Sequence, residues 1–117
     1  DPLGDYLASL ERLRSLDVEM VLPAHEGAFN GLGRRIDDLI QHHRMRLDEI
    51  LLASRNGPQT AYQIAARVRW HVGAWQHMSP VTRRMALFET LSHTEYLVRR
   101  GELARQARDG CFLYSRP

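Results

Sequence analysis

The stretch Val18-Glu19-Met20-Val21-Leu22-Pro23 constrains this chain more than any other. Its apolar residues, closed off by a proline, are too few for a helix and suit a short strand covered on both faces, as in a parallel sheet. No other segment reads as a parallel partner, so the sheet to which this strand would belong is expected outside the sequence. Directly after it comes Ala24-His25-Glu26-Gly27, a single imidazole on a loop with no companion at ligand spacing. A lone histidine so placed reads as one ligand of a site whose other ligands lie elsewhere.

Length supports that expectation. A chain of 117 residues with 44% hydrophobic content fills one small domain, or a short extension and one domain. It begins at Asp1-Pro2, with no initiating Met, no signal-like segment and no apolar run of bilayer length. The expectation is the C-terminal piece of a larger soluble, cytoplasmic protein. Cys111 is the single cysteine, which excludes an internal disulfide, fits a reducing compartment, and is read as a packed residue rather than a nucleophile. All 16 basic residues are Arg, but 14 acidic residues leave a formal charge of +2. The charges are interspersed, so no polyanionic partner is demanded.

Periodicity supplies the helices. Tyr6, Leu7, Leu10, Leu13 and Leu16 recur at three- and four-residue steps and predict an amphipathic helix from Leu3 to Leu16. Gly27, Gly31 and Gly33 mark a loop over 24–33. A long helix is predicted from about Arg34 to Arg55, with Ile36, Leu39, Ile40, His43, Leu47, Ile50 and Leu51 on its inner face and Asn56-Gly57-Pro58 as its stop. Thr60 and Gln63 form a capping box that starts a short helix at Ala61, ending near Val68. Ser79-Pro80 starts another, running to Arg100 with Leu87, Leu91, Thr94 and Val98 turned inward and Gly101 as its stop. Asp109-Gly110 then signals a hairpin between 103–105 and 111–114. The predicted class is mainly α, of α+β type: a winged-helix-like unit with a small β-hairpin over 34–117, preceded by the tail of another domain over 1–33.

Of the remaining histidines, His42 and His43 point about 100° apart on a helix and cannot share one ion; His43 is read as partly buried and His42 as exposed. His71 and His77 have no Cys or carboxylate cluster beside them, and His93 is read as packed or hydrogen-bonded within its helix. Trp70 and Trp75 are read as plugs between the short helix and the hairpin.

These residues together resemble the metallo-β-lactamase-fold hydrolases that carry a C-terminal winged-helix extension. Pro2 through Leu13 looks like that family's late helix. Val21-Leu22-Pro23-Ala24-His25-Glu26-Gly27 looks like its last metal-site motif, usually Pro-Gly-His-Gly. His43 through Leu51 resembles the helix that leads out of the catalytic domain, and Glu89 through Leu97 with Gly101 resembles the main helix of the extension. The order and spacing of these segments carry the likeness, which spans nearly the whole chain.

The resemblance implies a tail of the αββα catalytic fold over 1–33, zinc as cofactor and His25 as one of its ligands, with no catalytic residue in this chain. Neutral imidazole is a good zinc ligand, and a metal of this kind supplies hydroxide for attack on an ester, thioester, lactam or phosphodiester. Ala24 and Glu26 stand where the family pattern has glycines. The main motif, His-x-His-x-Asp-His, is absent, so these residues alone are expected to be inactive. Implied partners are the protein's own N-terminal catalytic domain, a small-molecule substrate and a homodimer mate, with no membrane. The alternative is a winged-helix nucleic-acid-binding or protein-interaction module, with Arg83, Arg84, Arg99, Arg100, Arg105 and Arg108 on phosphates. Glu89 and Glu95 on the same helix count against duplex recognition.

Overall fold

The computed structural model describes residues 1–117. Helix α1 spans Pro2–Leu13 and α2 spans Leu32–Ala53, followed by a 3₁₀ turn at Ser54–Asn56. Then come strand β1 (Gln59–Thr60), helix α3 (Ala61–Ala65), a second 3₁₀ turn at Trp75–His77, helix α4 (Pro80–Arg99), and strands β2 (Ala104–Arg108) and β3 (Cys111–Ser115). The strands form an antiparallel sheet in the order β1-β3-β2.

Local chemistry accounts for most boundaries. Asp1 caps α1 by accepting from Gly4 N at 3.0 Å, with Pro2 at the first helical position. Both halves of the Thr60/Gln63 capping box form. Ser79 accepts from Thr82 N at 3.1 Å, again ahead of a proline. The hairpin turns on two residues, Asp109 at φ 49° and Gly110 at φ 79°. Two successive positive φ values make a type I′ turn, whose twist matches that of the flanking strands. β2 consequently continues to Arg108, where the sequence suggested a longer loop.

One core cluster joins α2, α3, α4 and the sheet through Ile50, Ala61, Ile64, Val68, Leu97, Leu103 and Tyr114. Helix α1 lies against α2 and α4, with Leu3 and Leu10 buried. The hairpin is tied to α4 by Glu95, which accepts from the Tyr114 hydroxyl at 2.8 Å and from Arg105 at 2.6 Å. Burial opposes ionisation of Glu95, but those two donors outweigh it and hold the carboxyl below its usual range. The Tyr114 hydroxyl is pushed up to about 12, by burial first and then by donation to Glu95.

Several expectations are corrected. Residues 18–22 form no strand: one isolated bridge joins Val21 to Phe29, and Val18, Met20 and Leu22 are exposed at 41%, 61% and 79%. A strand needs a neighbour, and this segment finds only a single residue to pair with. Helix α1 stops at Leu13, leaving Leu13 and Leu16 exposed, and α3 stops at Ala65, three residues before Val68. The buried line of α4 is Ala86, Thr90, His93, Thr94 and Leu97. Leu87, Leu91 and Val98 flank it, partly buried against the core, because α4 is packed from more than one side. Cys111 is exposed instead of packed. Trp70 packs partly buried against the core cluster and lies under Arg46, whereas Trp75 stands outside that cluster, edge-on against Tyr62.

Candidate functional site: the His25 loop and a polar cluster between two helices

The loop bearing His25 is pinched at its base by paired backbone bonds, Val21 N to Phe29 O at 2.8 Å and Phe29 N to Val21 O at 3.1 Å. Within it Glu26 adopts φ 68°, a left-handed conformation uncommon for a residue with a side chain. Glycine occupies that position in the motif this segment resembles, so the backbone keeps the turn that glycine would favour. Residues 22–28, His25 included, are exposed. His25 fits a metal by its donor chemistry but is isolated, and no group of three or more His, Cys, Asp or Glu side chains is arranged to hold an ion.

The structure instead gathers polar groups between α2 and α4. Arg46, only 4% exposed, donates to Glu89 Oε1 at 3.0 Å, to Glu49 Oε2 at 2.7 Å and to the carbonyl of Arg69 at 2.6 Å. Its guanidinium lies 4.2 Å from the centre of the Trp70 ring. The Trp70 indole N–H in turn donates to Ala65 O at 2.8 Å. A charge this deep is tolerated because its donors are matched by two carboxylates and a carbonyl, with an aromatic face below.

Beside it, His93 Nδ1 is 2.7 Å from the carbonyl of Glu89, and His93 Nε2 is 3.0 Å from His43 Nδ1. A carbonyl can only accept, so His93 Nδ1 carries the hydrogen. In the neutral ring Nε2 must then accept, which makes His43 the donor across the helix pair. Burial is the main reason both imidazoles stay neutral; it lowers His43 to about 4, with His93 and His42 adding to the effect. His93 is lowered too, again chiefly by burial and against the pull of the Glu89 carbonyl. His42 sits 3.8 Å from Glu89, its ring 6.0 Å from that of His71.

The sequence reading places His43 and His93 correctly but misses the hydrogen bond between them. It also misses Arg46. The signal was available, since residue 46 lies three residues after His43 and four before Ile50, on the stripe assigned to the inner face. The arginines expected on phosphates are mostly engaged within the protein: Arg83 with the carbonyls of Trp75 and Gln76, Arg100 with Glu102, Arg105 with Glu95 and Arg108 with Asp109.

No family model matches the chain. Among curated proteins, it is 29% identical over 93 residues to "Probable metallo-hydrolase YqjP" of Bacillus subtilis, covering 80% of this chain and 26% of that protein. Among solved structures, it is similar to a "Beta-lactamase domain protein" from Burkholderia ambifaria, with TM-score 0.84 and 34% identity. A "metallo-beta-lactamase family protein" from Thermus thermophilus matches with TM-score 0.78 and 33% identity. Each covers 99% of this chain and 34% of the solved one. The chain thus spans about a third or less of the length of the proteins it matches.

Proposed function

We propose that this chain, similar to metallo-β-lactamase family proteins over 99% of its length, is the C-terminal portion of a zinc-dependent hydrolase of that family, lacking most of the metal site. Residues 1–33 are the last helix and loop of the catalytic domain. Residues 34–117 are a winged-helix extension, a reading supported by the element order and by the sheet order β1-β3-β2. No helix is long and apolar enough to cross a membrane.

The observation that carries this reading is the exposed His25 loop beside exposed Val18, Met20 and Leu22. A segment with the composition of a doubly covered strand, left uncovered next to a lone imidazole, is what remains when a sheet and a ligand set belong to other parts of one fold. His25 is the residue that would hold zinc. The chemistry such an ion supplies when bound is hydroxide at neutral pH, for attack on an ester, thioester, lactam or phosphodiester. The tasks of this chain are narrower. The Val21–Phe29 bridge and the left-handed turn at Glu26 present the imidazole.

The test compares a longer protein containing this chain with the 117 residues alone, reading zinc content and turnover of a generic thioester and a chromogenic lactam. Zinc and turnover are expected only in the longer protein, and His25→Ala should lower both while His77→Ala leaves both unchanged. Full retention of zinc and turnover in the His25→Ala protein removes the ligand assignment.

A further inference from the structure

Where α2 ends, its 3₁₀ turn and the segment after α3 enclose a cleft of about 580 Å³ lined by Glu49, Leu52, Ala53, Arg55, Asn56, Arg67 and Arg69. Three arginines and one glutamate line it. That carboxylate, Glu49, already accepts from buried Arg46 at 2.7 Å. No acidic side chain lies within ion-pair distance of Arg55, Arg67 or Arg69, whereas Arg14, Arg46, Arg100, Arg105 and Arg108 are all paired. The one polar bond made by the three side chains is Arg67 to Ala53 O at 3.5 Å, which is weak.

The negative end of the α2 dipole favours a nearby cation, yet a single carbonyl contact at the limit of hydrogen bonding does not occupy three planar donor forks. Clustered cations without counter-charges create a positive potential that an anion relieves. Arginine forks match the oxygen geometry of phosphate, and Leu52, 58% exposed, adds an apolar wall. The volume suits a small ligand. The arginines at the hairpin, Arg100, Arg105 and Arg108, are engaged in ion pairs of their own.

The geometry points to the Arg55–Arg67–Arg69 cleft as a binding site for the phosphate of a small phosphomonoester, apart from the His25 loop. This assignment does not depend on the hydrolase reading, since it concerns binding at a different place.

Calorimetric titration of the full chain tests it with four probes: pyrophosphate, adenosine 5′-monophosphate, adenosine, and a ten-nucleotide deoxythymidine strand lacking terminal phosphates. Saturable one-to-one binding of pyrophosphate and the monophosphate is expected, and none of adenosine. The paired change Arg67→Gln with Arg69→Gln should weaken both by about tenfold or more, as loss of charge-assisted bonds requires. These side chains are exposed, and it is the Arg69 carbonyl that serves Arg46, so folding, followed by circular dichroism, should be retained. Arg34→Gln with Arg35→Gln, at the opposite end of α2, should change nothing. Absence of saturable binding, or equal losses in the two paired variants, overturns the site. Tighter binding of the strand than of the monophosphate, lost in Arg67→Gln with Arg69→Gln, overturns its assignment to a small phosphate.

Discussion

The His43–His93 hydrogen bond joins α2 to α4 with both rings neutral, and the Glu89 carbonyl orders their protons. A histidine whose folded pKa lies below its unfolded value near 6.5 binds fewer protons when folded. Its contribution to stability is therefore fully present above pH 6.5 and is lost as pH falls toward about 4, the folded value for His43. The melting midpoint should drop between pH 7 and pH 5, and His43→Phe should flatten that slope; an unchanged slope would show that the pair is not what titrates. Arg46→Met tests the neighbouring group. It strands Glu49, Glu89 and the Arg69 carbonyl, and should cost on the order of 2 kcal/mol in urea unfolding, moderated because both carboxylates are about one third exposed. At this scale the sequence was partly legible. His43 followed from periodicity, but its partner lies 50 residues away, and nothing local announces such a pairing.

Element boundaries were legible wherever a cap or turn is built from adjacent residues. The capping box at Thr60, the Ser79-Pro80 start and the Asp109-Gly110 turn each bond within three or four positions, so their chemistry is complete before any tertiary contact forms. Thr60→Ala removes one half of the box and should cost about 1 kcal/mol, measured as a lowered midpoint of chemical unfolding. A midpoint equal to that of the parent would mean that the fold, rather than the cap, starts α3. Strands behaved otherwise. β1 is two residues long and exists because β3 offers Tyr114 and Leu113 as partners, while the more strand-like residues 18–22 stay unpaired. Composition states a preference for extended backbone, and only a neighbour makes it a strand.

The whole molecule is extended for its length. Its radius of gyration is 16.2 Å, against about 13 Å for a compact chain of roughly this size. Only 19 of 117 residues are buried, so stability is concentrated in the cluster around Ile50, Ile64, Leu97 and Tyr114. The least protected stretch should be 15–30, exposed almost throughout and held by one bridge. Thermolysin, which cuts beside bulky apolar residues, should cleave there first, at Leu16, Val18, Met20 or Leu22. A first cut inside α2 or the hairpin would show that stability is distributed differently.

What the sequence determined by itself was local. It specified which segments coil into helices, where they are capped, where the hairpin turns, and that His25 lies on a loop, because each of these rests on residues a few positions apart. The tertiary structure decided everything that depends on residues far apart in the chain: which apolar segment gains a strand partner, which face of α4 is buried, and that Arg46 sits between Glu89 and Trp70. It likewise brought Arg55, Arg67 and Arg69 to one cleft. Long-range contacts select among local preferences that are each worth only a fraction of a kcal/mol per residue to about one, so the outcome belongs to packing and not to any one segment.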